Sequence, residues 1–169
     1  MKFFAFPLFS ALLITASTDA QNAPEKPFLH RLFSDNMVLQ RDVATPVWGW
    51  AKTGTGVSVS FNGKDAKANA DANGKWMVKL PAQPAGGPYD LKVSGPEEVT
   101  LENDMLGDVW ICSGQSNMEW GMRGTTNSKE EIAAAKHPNI RLYTVLKKIA
   151  LEPLYNKEAL PASPFRTDK

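Results

Sequence analysis

The sequence predicts a β-sandwich N-terminal domain followed by the first strand–helix–strand part of an α/β domain. Three observations predict it. Short alternations of apolar and polar residues recur between positions 28 and 101, each closed by a turn signal. After Met105 the alternation gives way to a continuous apolar run, Val109 to Cys112, as expected of a strand covered on both faces. A helical signal and another apolar run follow, and strand, helix, strand is one right-handed crossover unit.

The first residues stand outside the fold. Lys2 supplies a short positive start, and Phe3 to Ile14 is an apolar run interrupted only by Pro7 and Ser10. Thr18-Asp19-Ala20 then places small residues three and one before a cut ahead of Gln21. Residues 1–20 read as a secretory signal peptide, too short to span a membrane, which implies a secreted or periplasmic chain.

The strands of the domain expected over residues 24–104 follow in order. The first two lie near Met37-Val38-Leu39 and Val47-Trp48-Gly49-Trp50. Val57, Val59 and Phe61 alternate with polar residues until Asn62-Gly63, a tight hairpin turn. Trp76, Val78 and Leu80 alternate after Asp71-Ala72-Asn73-Gly74, and Tyr89, Leu91 and Val93 after the loop from Pro81 to Pro88. Val99 and Leu101 follow Ser94-Gly95-Pro96. The spacing is that of an antiparallel sandwich with about seven strands.

Residues 105–169 are the expected second domain, and they look incomplete. After the strand at Val109–Cys112 comes a Gly-rich loop from Gly121 to Thr126. Ser128-Lys129-Glu130-Glu131 has the form of a capping box opening a helix from about Lys129 to Lys136, with Pro138 as its stop. Residues Ile140 to Val145 read as the next strand. From Lys147 to Lys169 no core element is legible, and one crossover unit leaves an open edge and an uncovered face.

Composition narrows the partners. The chain has 169 residues and a formal charge of +1, so no electrostatic pull toward nucleic acid or an anionic membrane is expected. Cys112 is the only cysteine, which excludes an intrachain disulfide. It reads as a small buried hydrophobe on its strand, the other reading being a partner in sequence absent from this chain. One cysteine and two separated histidines give no metal cluster, and no metal or cofactor is expected.

Ser116 leads the chemistry candidates. It follows a strand and Gly114, and Gln115 and Asn117 flank it. A rigid strand ending in a sharp turn is how a nucleophilic hydroxyl is presented, and the serine N–H there can donate to an oxyanion. The amides of Gln115 and Asn117 suit an oxyanion or a sugar hydroxyl, and equally suit hydrogen bonds within the loop. Met118 stands where the nucleophile elbow of α/β-hydrolases needs glycine, so that motif is excluded. Glu119 is a weak contender as general base, and Trp120, Arg123 and the Gly121–Thr126 loop can form a pocket rim or simply pack. Trp48 and Trp50, two apart on one strand face, read as core residues or as a stacking platform for sugar rings. His30 reads as a surface or strand histidine, and His137 as a residue favoured at a helix C-terminus by the dipole.

The stretch Trp110-Ile111-Cys112-Ser113-Gly114-Gln115-Ser116-Asn117-Met118-Glu119-Trp120 resembles the signature of the sialate O-acetylesterase family of carbohydrate esterases, which belong to the SGNH hydrolases. Leu32-Phe33-Ser34-Asp35-Asn36-Met37-Val38-Leu39-Gln40 and Ala72-Asn73-Gly74-Lys75-Trp76 resemble the family's β-rich N-terminal domain. Pro138-Asn139-Ile140-Arg141-Leu142-Tyr143-Thr144-Val145 resembles the strand after the nucleophile. The resemblance implies a flavodoxin-like α/β domain with Ser116 as nucleophile, Gly114, Gln115 and Asn117 around the oxyanion or substrate, and no cofactor. It also implies removal of O-acetyl groups from sialic acid or a related sugar through an acyl-enzyme; acetylated xylan is the alternative substrate. The family's histidine lies far downstream in an Asp-x-x-His arrangement, and neither His30 nor His137 fits it. The chain is therefore expected to be a truncated form with a nucleophile but no base, hardly active alone. The rival expectation is a non-catalytic secreted module that binds glycans or a protein partner.

Overall fold

The computed structural model describes residues 26–145. The expected signal peptide and the stretch from Lys147 onward lie outside the described residues. Among the described residues the structure is mostly β-sheet, and its strands follow the alternations of the sequence.

Seven strands form: β1 (Val38–Gln40), β2 (Thr45–Trp50), β3 (Gly56–Phe61), β4 (Lys64–Asn69), β5 (Lys75–Leu80), β6 (Gly86–Ser94) and β7 (Glu98–Gly107). Five make one sheet in the order β1-β7-β6-β3-β4, and β2 pairs with β5 in a second. All pairings are antiparallel except β1 with β7, where Val38 to Gln40 run alongside Met105 to Gly107. The larger sheet curls into half a barrel.

The alternation explains the core. Val57, Val59 and Phe61 of β3, Leu91 and Val93 of β6 and Leu106 of β7 face inward, and Val47, Trp76, Val78 and Leu80 from the second sheet meet them. Every one of these is at most 3% exposed, so the two sheets share a single apolar core. Trp76 is held further by its indole N–H, which donates to the Phe28 carbonyl at 2.9 Å. Strand β4 has no buried residue, yet it pairs fully with β3. The Asn62-Gly63 turn, with φ of 46° and 68°, folds it back, so turn chemistry replaces apolar patterning there.

A bulge in β7 has a structural consequence. Tyr89 pairs with Asp104 and Leu91 with Leu101, so β7 spends three residues where β6 spends two. Asn103 takes up the extra residue at φ 61°. The inward phase therefore shifts from Val99 and Leu101 to Asp104 and Leu106, placing a carboxyl inside.

Beyond Gly107 the sequence expectations are corrected. Val109 to Cys112 is not a strand: Trp110 is 84% and Ile111 92% exposed, and Cys112 is exposed rather than buried. An apolar run becomes a strand only by pairing, and among the described residues no strand pairs with it. The helix is α1 (Ser128–Ala134), shorter than expected. Asn127, left-handed at φ 57°, is its N-cap without a side-chain bond, so Ser128 is already helical and no capping box forms. Because α1 ends at Ala134, His137 lies beyond its last turn. Residues 140–145 contribute a single bridged residue, Leu142, rather than a strand.

Candidate active site

Ser116 opens a short 3₁₀ turn, Ser116–Glu119, with Gln115 extended before it at φ −88° and ψ −175°. Ser116 is exposed at this change from extended to helical backbone, as is every residue from Asp108 to Asn127. The turn closes through Met118 N–H to the Gln115 carbonyl at 2.9 Å and Trp120 N–H to the Asn117 carbonyl at 3.2 Å. The N–H groups of Ser116 and Asn117 precede its first bond and lie at its open N-terminal end. A Cβ on Gly114 would stand 3.0 Å from Cγ of the half-exposed Met118 side chain, which is able to shift.

Gly114, Gln115, Ser116 and Asn117 are thus adjacent and exposed, as contiguous residues of one turn. A second 3₁₀ turn, Met122–Gly124, follows, and a Cβ on Gly124 would stand 3.0 Å from the Trp120 indole nitrogen. Trp120, Met118 and Met122 stay half or more exposed, so no pocket rim closes over the serine among the described residues.

Neither histidine hydrogen-bonds the Ser116 hydroxyl among the described residues. His30 belongs to the β-rich part, where its ring lies 5.2 Å from that of Trp48 and 5.7 Å from that of Trp50. Its Nδ1 accepts the Leu32 N–H at 3.1 Å, which puts the neutral ring's proton on Nε2. Burial, and then the nearby Lys75 charge, push its pKa down. His137 is exposed, and its carbonyl accepts the Ile140 N–H at 2.9 Å.

Two sets of contacts tie the serine-bearing segment to the sheet, and neither was expected from the sequence. Arg41 clasps Asp108 with Nε at 2.9 Å and Nη2 at 3.4 Å, while Gln40 Oε1 accepts the Val109 N–H at 2.9 Å. Further along, the Arg141 guanidinium donates to the carbonyl and to the side-chain oxygen of Asn103. Beside it, Asp104 is fully buried, with Oδ1 accepting the Met37 N–H at 3.1 Å. Burial raises the Asp104 pKa to about 7 against the lowering effect of that N–H; Asp35 and Asp90 add to the rise and Arg141 opposes it. An Asn-Asp pair interrupting a strand's apolar alternation is the signal that points to the bulge.

No family model matches the chain. Sialate O-acetylesterases of rat and mouse are 30% and 31% identical to it, over 78% and 82% of this chain. The chain spans only about a quarter of their length, 27% and 28%. A solved carbohydrate acetylesterase from Xanthomonas citri superposes with a TM-score of 0.75 at 38% identity, covering 85% of this chain and 33% of that one. These relatives are carboxylic ester hydrolases acting on acetylated carbohydrate. The chain belongs to the sialate O-acetylesterase family, of which it represents an N-terminal portion.

Proposed function

We propose that this chain is the N-terminal portion of a secreted or periplasmic carbohydrate O-acetylesterase, with Ser116 as the nucleophile that takes the acetyl group. The observation carrying the reading is the exposed serine at the head of a 3₁₀ turn, its own N–H and that of Asn117 at the turn's open end. In this reading the hydroxyl oxygen attacks the ester carbonyl, the sugar alcohol leaves, and water releases acetate. The turn's N–H groups lie where an oxyanion can be met, and the Gln115 and Asn117 amides can hold it or a sugar hydroxyl. The substrate is sialic acid or a related O-acetylated sugar, a class supported by the relatives' names; acetylated xylan remains the alternative. The finer architecture proposed is a β-sandwich followed by the opening of an SGNH-type domain at 105–169.

A serine without a base is a poor nucleophile, and a general base contributes roughly 10²–10⁴-fold. The 169-residue chain is therefore expected to hydrolyse O-acetylated sialic acid or p-nitrophenyl acetate hardly above background. Added imidazole can stand in for the base. Acetate release at rising imidazole is expected to exceed that of Ser116→Ala under the same conditions. Identical rates for the two proteins would remove Ser116 from the mechanism. The absence of a histidine bonded to Ser116 among the described residues also supports a second reading, a non-catalytic module that binds glycans or a protein partner. Turnover in the unsupplemented chain that disappears in Ser116→Ala would rule out that second reading.

A further inference from the structure

Strand β2 buries Thr45, Val47 and Gly49, so Trp48 and Trp50 alternate to its other face, each half-buried. Trp48 also packs edge-on against the buried Phe33 ring at 4.8 Å, while Trp50 is the more open of the two. Their antiparallel partners are Met77 and Lys75, and Pro46 pairs with Lys79. Residues directly opposite in a ladder share a face, so two tryptophans, an exposed methionine and two exposed lysines occupy one surface. The side chain of His30 lies against both indoles, and the Lys26 ammonium sits 5.8 Å from the Trp50 ring centre. Because Nδ1 is taken by the Leu32 N–H, the imidazole has its Nε2–H left to donate. The ion pairs among the described residues all involve Arg41, so Lys26, Lys75 and Lys79 have no acidic partner there.

We propose that this outer face of the β2–β5 sheet binds an acidic carbohydrate, separately from the serine. Indole faces pack against the C–H groups of a sugar ring, the Nε2–H donates to a hydroxyl, and a carboxylate on the ring meets Lys75 or Lys79. The carbohydrate class rests on the proposed function; the acidic group and the location rest on the charges and rings themselves. Lys26, Lys75 and Lys79 make no ion pair among the described residues, so their positive charge is available beside the rings.

The test is an NMR titration of the tryptophan indole N–H signals with N-acetylneuraminic acid, galactose and acetate, on the full chain and on Ser116→Ala. Saturable shifts of the Trp48 and Trp50 signals are expected with the acidic sugar, and much weaker ones with galactose or acetate. The double variant Lys75→Ala/Lys79→Ala, altered at exposed positions only, is expected to lower affinity about three- to fivefold. Ser116→Ala should bind like the parent. No saturable shift, an equal response to acetate, or an unchanged affinity in the lysine variant would overturn the proposal. Because Ser116 is the readout of the imidazole experiment and is silent here, the failure of one reading is distinguishable from the failure of the other.

Discussion

Asp104 shows what a single extra residue in a strand can do. The bulge at Asn103 turns its carboxyl inward, and burial raises its pKa from 3.8 to about 7. The folded state therefore holds this proton more tightly than the unfolded chain, and between about pH 4 and pH 7 it binds more protons. Stability must then fall as pH rises through that window and stay lowered above it. The contribution is on the order of 4 kcal/mol at most. Asp104→Asn keeps an oxygen for the Met37 N–H and removes the titration. Denaturant midpoints at pH 4.5 and pH 8 are expected to differ less in Asp104→Asn than in the parent, and an equal or larger difference would falsify this account. The Asn103-Asp104 pair marks the bulge in the sequence, but alternation alone would leave Asp104 facing solvent, and only the register shift brings it in. The turn at Ser116 is legible for the opposite reason: its signal is local, a glycine and a serine after an extended segment, and needs no long-range pairing.

At the scale of elements, β2 owes its position to a close backbone approach. A Cβ on Gly49 would stand 1.8 Å from the Phe28 carbonyl oxygen and 2.9 Å from Leu29 Cα, both backbone atoms that cannot swing aside. The same carbonyl accepts bonds from the Trp50 N–H at 3.1 Å and the Trp76 indole at 2.9 Å. Gly49→Ala is therefore expected to cost about 3 kcal/mol or more, measured as a drop in unfolding free energy. A change below 1 kcal/mol would mean that the 27–30 segment is free to move away. The strands of the β-rich part were readable because each carries its own alternation or turn, with polar β4 resting on Asn62-Gly63. The run Val109–Cys112 misled because apolar content marks a strand only when neighbours pair with it. The α1 boundary shifted because Asn127, not Ser128, reverses the chain.

For the whole molecule, the buried residues belong almost entirely to the β-rich part, while Trp110, Ile111, Trp120, Ile132 and Ile140 remain exposed beyond it. The core is closed by the two sheets together with Phe28, Phe33 and Met37, so residues 26–107 are expected to survive limited proteolysis as one fragment. Cleavage should concentrate after Gly107, and a digest leaving no resistant piece of that size would count against an independent unit. Mass analysis of the exported chain in the same experiment tests the proposed signal peptide, whose removal leaves Gln21 first. Three residues of β1 hold the exit of β7 by parallel bonds, with Arg41 and Gln40 at their end. Parallel neighbours pulled from opposite ends slide against each other rather than peel apart. Tension between the chain before Val38 and the serine-bearing segment after Gly107 therefore loads these bonds together, making the seam a mechanical fastener as well as a join.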